Sequence, residues 1–334
     1  MHIPIVLLVG ALLSFVTVPL DTSAQDVRQP FSQWLGDVRA EALARGIRPE
    51  IVEEALAGIE EPLATTIERD RAQPETVLPL EAYIARSVRQ ASVRRGQQML
   101  RRHRALLNRV SDTYGVPSSV LVAVWGVESN FGRYTGAEPT VAALVTLAWD
   151  QRRANYFRQE LFSALEILNR GDIEAARMRG SWAGAMGQPQ LMPTSYLEYA
   201  VDFDRDGRRD IWDSPGDIFA SIANYLKQHG WATGQRWGRE VIVPRGGAMA
   251  VAQREGSCRA TREMTVGLPL QQWRRLGVRL PGRRPLPKAD FPAYLVSGSR
   301  RRFLVYDNYD VLLAYNCAHS YALSVGLLAD RIGR

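Results

Sequence analysis

VPSSVLVAVWGVESNFG, residues 116–132, is the stretch from which the rest of the chain can be read. Val120 to Val127 carry no charge, and the tryptophan N–H is their one polar side-chain group. Pro117 followed by Ser118 and Ser119 predicts a helix start, with a hydroxyl accepting the first free backbone N–H groups. A helix apolar on every side belongs inside a protein. Glu128 then stands where a buried helix ends, followed at once by Ser129, Asn130 and Gly132. Such a place disfavours the ionised carboxylate and raises its pKa, which is how a site keeps an acid ready to donate a proton near neutral pH. The plain alternative is a glutamate leaving the core for solvent, and on this stretch alone it is the better wager.

The chain has 334 residues, enough for two or three substructures around a large core. Its net charge is +7, and Lys227 and Lys288 are the only lysines, so the excess is arginine. Arginine suits carboxylate and phosphate partners, but a genome rich in arginine codons is the preferred explanation. No basic run is interleaved with aromatics, so nucleic acid is not expected as a partner. Ile3 to Leu20 is apolar and is followed by Thr22-Ser23-Ala24, the pattern of an export signal covering residues 1–24. The segment also approaches membrane-spanning length, which leaves an uncleaved anchor as the one route to a membrane. Export predicts a periplasmic protein. Cys258 and Cys317 are compatible with a disulfide or with two reduced thiols, and neither has zinc-ligand spacing.

Residues 25–107 show helical periodicity throughout, with a long arginine-rich segment from Leu80 to Leu100. Helices are expected over Val141–Trp149, over Tyr156–Leu168 with Gly171 as the stop, and over Ile218–Gly230. Residues 238–305 change texture toward short strands and turns, and 306–334 return to helix. Division at 107, 237 and 305 therefore gives a helical domain, a core, a small partly β insertion, and a helical part completing the core.

Two further stretches carry chemistry. RGSWAGAMGQPQLMPTS, residues 179–195, holds three glycines, two prolines and one charge. Its small residues would let a flat ligand approach the backbone, while Gln188 and Gln190 offer amides suited to sugar hydroxyls and acetamido groups. Asp202-Phe-Asp204-Arg-Asp206-Gly207-Arg-Arg-Asp210 matches the opening of an EF-hand loop, with oxygen ligands at alternating positions and glycine at the sixth. The twelfth position is Asp213, too short to chelate easily; Asp217, four residues on, would close a longer loop. Calcium in a structural role is the expected cofactor.

Together these stretches resemble the lytic murein transglycosylase B family. The likeness rests on VWGVESNFGRYTG (124–136), on the run from Arg179 to Trp212, on IANYLKQHGW (222–231) and on YNCAHSYALSV (315–325). It covers roughly Ala82 to the C-terminus. The resemblance implies a mainly α, lysozyme-like fold with an EF-hand-type loop, acting on peptidoglycan. It implies that Glu128 is the single catalytic acid/base and that Ser181 orients the substrate's N-acetyl group. Gln190, Tyr225, Tyr315, Asn316 and Tyr321 fall on positions lining the sugar cleft, with Tyr83 as a further one. Calcium would be held by Asp202, Asp204, Asp206, the Arg208 carbonyl and Asp217. Expected partners are glycan strands and proteins of cell-wall synthesis.

An ordinary glycosidase sets two carboxylates across the scissile bond. No second carboxylate here shares the setting of Glu128, and a one-carboxylate site can work if the substrate's own groups help; the resemblance implies that it does so by non-hydrolytic cleavage between N-acetylmuramic acid and N-acetylglucosamine to 1,6-anhydromuramoyl ends. The competing readings are a water-using muramidase of the same fold and a silent peptidoglycan-binding module.

Overall fold

The computed structural model describes residues 29–72, 78–244, 251–289 and 291–334; the expected export signal lies outside them. The N-terminal part folds as α1 (Phe31–Ala44), α2 (Pro49–Ala55), α3 (Ala64–Ala72), α4 (Leu80–Ser87), α5 (Gln90–Arg102) and α6 (Arg104–Tyr114). The long helix expected from Leu80 to Leu100 is broken. Val88 closes α4 and Arg89 is extended, and the Val88 carbonyl set free by the break accepts from Arg331 Nη1 at 3.0 Å. Gly115 then ends α6 in the left-handed region, at φ 74°.

The quoted stretch forms α7 (Ser118–Ser129). Its start is where Pro117 predicts, but no serine hydroxyl caps it; Pro117 itself is the cap residue and both serines are already helical. Val120 to Trp125 are all buried, worth about 1.5–3 kcal/mol for each large side chain. Uniform apolarity is explained by the neighbours, because α7 is packed by α5, α6, α11 (Pro215–Gln228) and α15 (His319–Ile332). α8 (Thr140–Trp149) and α9 (Ala154–Arg170) form the largest helix pair, and Gly171 ends α9 as expected. Buried residues of α1 and α2, such as Leu35, Val38 and Val52, join the same apolar cluster as α7. The N-terminal helices thus cover the core and have no separate one. α10 (Pro193–Tyr199) lies against α9.

Two short strands, β1 (Glu138–Pro139) and β2 (Arg179–Gly180), pair antiparallel beside the second chemical stretch. The change of texture after Trp237 becomes a four-stranded antiparallel sheet of β3 (Gly238–Val241), β4 (Leu268–Pro269), β5 (Pro292–Ser297) and β6 (Arg302–Val305), in spatial order β3-β6-β5-β4. With α13 (Leu270–Arg275) it encloses a second apolar cluster around Trp273, whose Nε1 donates to the Ala293 carbonyl at 2.9 Å, while α12 (Arg259–Arg262) packs by Ala260 on the main core. α14 (Asp307–Tyr315) leads back into the core and meets α15 at a bend of 117°. Cys258 and Cys317 are joined as a disulfide, pinning the insertion to that bend. Among the described residues no single helix is long and apolar enough to cross a membrane.

Candidate active site

Glu128 is the penultimate residue of α7. Asn130, Phe131 and Gly132 follow with φ of 51°, 60° and 77°, so the chain turns back sharply straight after the carboxylate. Ser129 holds that turn: its hydroxyl donates to the Trp125 carbonyl and accepts from the Gly132 N–H at 3.0 Å. The Phe131 ring folds under α7 at Gly126, where a Cβ would lie 2.7 Å from the ring. The Glu128 side chain ends up surrounded by protein yet partly exposed. Burial pushes its pKa up to about 8, and the neighbouring Tyr321 hydroxyl pulls weakly the other way. No carboxylate contributes to that shift. Glu160 is the buried acid closest in character to Glu128. Both of its oxygens are taken, one by the Thr194 N–H and one by the Thr194 hydroxyl, so it serves to fix α10.

Tyr83, Tyr225, Tyr315 and Tyr321 all sense the charge of Glu128. Burial first, and then that charge among their neighbours, raises the pKa of each phenol. The structure thus brings these four rings to one place around Glu128. Their hydroxyls differ in use. Tyr225 donates to the Ala314 carbonyl at 2.8 Å and Tyr315 to the Pro189 carbonyl at 2.7 Å, so these two present ring faces. The two rings lie 4.6 Å apart, and Tyr321 stacks on Tyr315 at 6.1 Å. The buried Tyr321 hydroxyl has no partner in full hydrogen-bond geometry and faces Glu128. Asn316 sits exposed at the bend between α14 and α15, and its side chain makes no hydrogen bond among the described residues. His229, which the motifs did not single out, stacks on Tyr225 at 4.0 Å; its i,i+4 spacing from Tyr225 was the available signal.

The 179–195 loop is fastened to the turn after Glu128. Gln188 Oε1 accepts from Trp125 Nε1 at 2.8 Å, and its Nε2 donates to the Trp212 carbonyl. Gln188 serves as a clip between α7 and the acidic loop, which leaves one N–H and one oxygen lone pair of its amide. Gln190 Nε2 donates to the Thr135 and Gly187 carbonyls, which leaves only its oxygen for a ligand. The glycines also serve differently from the expectation. A Cβ on Gly136 would strike the Gly180 carbonyl oxygen at 1.9 Å, and one on Gly180 the Ala185 carbonyl oxygen at 2.3 Å. Backbone packs on backbone here, so those small residues admit the protein itself and not a flat ligand. Ser181 is the exception. Its hydroxyl accepts from the N–H groups of Ala183 at 3.2 Å and Ala185 at 3.1 Å, and donates to nothing among the described residues. With both lone pairs engaged, its proton is what remains to offer.

In the acidic loop, carboxylate oxygens of Asp202, Asp204 and Asp217 all lie within 4.8 Å of one another. Arg205 and Gly207 turn the loop in the left-handed region, at φ 64° and 92°. Asp217 is fully buried, and burial raises its pKa to about 6, against the backbone N–H groups of Phe203 and Asp210 that it accepts. Between the two ways of closing the loop, the geometry favours Asp217, because Asp213 is 65% exposed and pairs with Arg177. The expectation for Asp206 is not met: its carboxylate turns to the Arg208 N–H at 2.9 Å and stands outside the trio. Asp210, at the ninth position, caps the N–H groups of Trp212 and Asp213. The donor set that remains is three hard anionic oxygens, which fits a hard divalent cation.

Comparison with known proteins agrees with this geometry. Membrane-bound lytic murein transglycosylase B of Escherichia coli (strain K12) is 41% identical over 146 residues, 43% of this chain and 40% of that protein, so the match spans less than half of the relative's length. SltB3 of Pseudomonas aeruginosa, solved with NAG-anhNAM-pentapeptide, superposes with a TM-score of 0.84 at 42% identity, covering 91% of this chain and 80% of that one. Slt35 of E. coli, solved in complex with calcium, gives a TM-score of 0.74 at 27% identity, over 91% and 93% of the two chains. The likeness reaches further toward the N-terminus than the motifs alone suggested, since residues 30–330 match the family described as Transglycosylase SLT domain. With its lysozyme-like, mainly helical architecture, the chain belongs to that transglycosylase family.

Proposed function

We propose that the protein is a peptidoglycan lytic transglycosylase that cleaves the β-1,4 bond between N-acetylmuramic acid and N-acetylglucosamine without water. The observation that carries this reading is a lone carboxylic acid with a pKa of about 8, with no second carboxylate acting on it. Near neutral pH Glu128 holds a proton and gives it to the glycosidic oxygen as the C1–O bond breaks. The carbonyl oxygen of the muramoyl 2-acetamido group bonds to the electron-deficient C1. Ser181, with only its proton to offer, steadies that carbonyl through its second lone pair. Glu128, now a carboxylate, takes the proton of the sugar's 6-hydroxyl. O6 closes on C1, the acetamido bond is released, and Glu128 is again protonated. The rings of Tyr225 and Tyr315 pack against sugar faces, with the Gln190 oxygen, Asn316, Tyr83 and Tyr321 along the same cleft. Positioning supplies what a single acid/base does not.

The SltB3 complexes with NAG-anhNAM-pentapeptide and NAG-NAM-pentapeptide support a peptide-bearing glycan as substrate. The calcium complex of Slt35 supports calcium at Asp202, Asp204 and Asp217, with the Arg208 carbonyl completing the shell. There it would offset three converging negative charges and hold the loop that Gln188 ties to α7. A murein substrate places the protein outside the cytoplasm, in the periplasm on the export reading of residues 1–24. Residues 25–107, 108–237 with 306–334, and 238–305 are proposed as the helical cover, the catalytic core and the insertion.

The test is the mass of the products released from purified glycan. Anhydro ends, lighter by one water than reducing ends, are expected. Reducing ends would make the protein a muramidase, and absence of any release a binding module.

A further inference from the structure

The positive charge of the chain is concentrated, not spread as arginine-rich codons would spread it. Residues 238–305 hold fourteen Arg and Lys against four Asp and Glu, a net +10, whereas the whole chain is +7. Everything outside the insertion is therefore net acidic. The insertion also carries a pocket of about 760 Å³. Arg274, Arg275, Arg279 and Lys288 line it beside Pro285 and Pro287, and among the described residues no acidic side chain is in the lining.

One wall of this pocket is fixed at Arg279. Arg279 lies on a bridge to Ile242, whose N–H donates to the Arg279 carbonyl at 2.7 Å. Its Nη1 donates to the carbonyls of Arg274 and Val278, at 3.0 and 2.9 Å, so the guanidinium is held with Nη2 and Nε left over. Arg274 and Arg275 ride on α13, anchored by the buried Trp273 next to them. Arg274, Arg275 and Lys288 form no ion pair among the described residues. Four cations around one concavity, with Arg279 held in place and no acidic side chain among the described lining residues, suit an anion of matching shape. Fixed guanidinium forks match planar carboxylates.

We infer that this pocket binds the carboxylate-bearing stem peptides of peptidoglycan, holding the wall by a second point apart from the sugar cleft. The inference rests on the murein reading above. A peptide is favoured over a membrane surface because the cations converge into a concavity with proline walls, whereas a flat anionic lipid layer needs a spread face. Two attachments on one polymer raise the effective concentration of glycan at the cleft without any new contact to the reacting sugars.

The test uses the full chain carrying Glu128→Gln, so that wall is bound without being cut. Binding is measured to purified sacculi with stems intact and to sacculi stripped of stems by an amidase. About tenfold tighter binding to the intact wall is expected, consistent with one or two charge-assisted hydrogen bonds. Adding Arg275→Ala and Lys288→Ala, two exposed side chains, should erase that preference and leave binding to stripped wall unchanged. A preference that survives the double substitution, or no preference in the parent, overturns the inference. So does a loss seen only on vesicles of phosphatidylglycerol, which would assign the pocket to a membrane. Product masses from the unsubstituted enzyme are read in parallel: missing anhydro ends would strike the proposed reaction while stem binding stands or falls by its own measurement.

Discussion

Replacing Glu128 by glutamine should destroy lysis and, at the same time, stabilise the protein by an amount that grows with pH. The carboxyl is raised from its ordinary 4.5 to about 8 by burial. Between those two values the unfolded chain has released the proton while the folded protein still holds it. Unfolding is then favoured by about 1.4 kcal/mol for each pH unit crossed. At pH 4 both states are protonated and the group contributes nothing. By pH 7 the handicap is about 3 kcal/mol, and above pH 8 it levels off near about 5 kcal/mol, as upper bounds for a side chain partly exposed. Glutamine has nearly the same shape and no charge to bury, so it removes the handicap.

The assay is thermal unfolding of the parent and Glu128→Gln side by side at pH 4, 7 and 9. Differences between the two cancel every other titrating group that does not touch Glu128. The two melting temperatures should coincide at pH 4 and separate by an amount on the order of 5 °C at pH 7, with a wider gap at pH 9. Activity of the parent should fall as pH rises through about 8, since the protonated acid is the competent form. A gap that stays constant with pH, or activity that rises through pH 8, would refute the reasoning, because both follow from a neutral buried acid.

Three further outcomes are expected. Ser181→Ala should lower kcat/KM and also melt a few degrees earlier, because the N–H groups of Ala183 and Ala185 lose their acceptor at about 1 kcal/mol each; unaltered melting with lowered activity would confine Ser181 to the substrate. Chelation with EGTA should lower the melting temperature and calcium should restore it, while Asp217→Asn abolishes the response; magnesium restoring equally would argue against a calcium site. Replacing Cys258 and Cys317 by serine opens a loop of 59 residues, worth about 4 kcal/mol of chain entropy, and circular dichroism should show the insertion melting ahead of the helical core.

The parts of this site that were legible in the sequence are those where local pattern and tertiary environment coincide. Val120 to Trp125 declare a buried helix because there is no polar face to misread, and Glu128 stands out against them. The aspartate spacing after Val201 is likewise local, since a cation loop is built from near neighbours. What stayed hidden depends on partners far along the chain. Asp206 keeps the right spacing, yet its carboxylate is drawn to the Arg208 backbone, whereas Asp217 arrives from the next helix. Gln188 and Gln190 look alike in sequence. One ties Trp125 to Trp212 with its oxygen and its nitrogen, and the other gives both N–H groups to backbone carbonyls and keeps its oxygen. The break after Ser87 needs Arg331, more than two hundred residues away, to satisfy the carbonyl it exposes.

In the proposed mechanism one carboxylate makes two proton transfers. A pair of acids in one groove divides the work by having two pKa values, each tuned separately. Here the tuning must let one group be acid first and base afterwards, so its pKa should lie near the pH at which it works. Burial alone would push Glu128 past that point. The Tyr321 hydroxyl, brought in from the C-terminal helix, opposes the shift by favouring the carboxylate. Tyr321→Phe should therefore move the alkaline limb of activity upward, by about one pH unit if the contact is worth an ordinary hydrogen bond. It should also slow the first transfer, because an acid of higher pKa gives up its proton less readily, while the carboxylate left behind is the stronger base for the second. An alkaline limb that moves downward instead would mean that Tyr321 stabilises the protonated acid, and the division of labour between burial and that hydroxyl would have to be reversed.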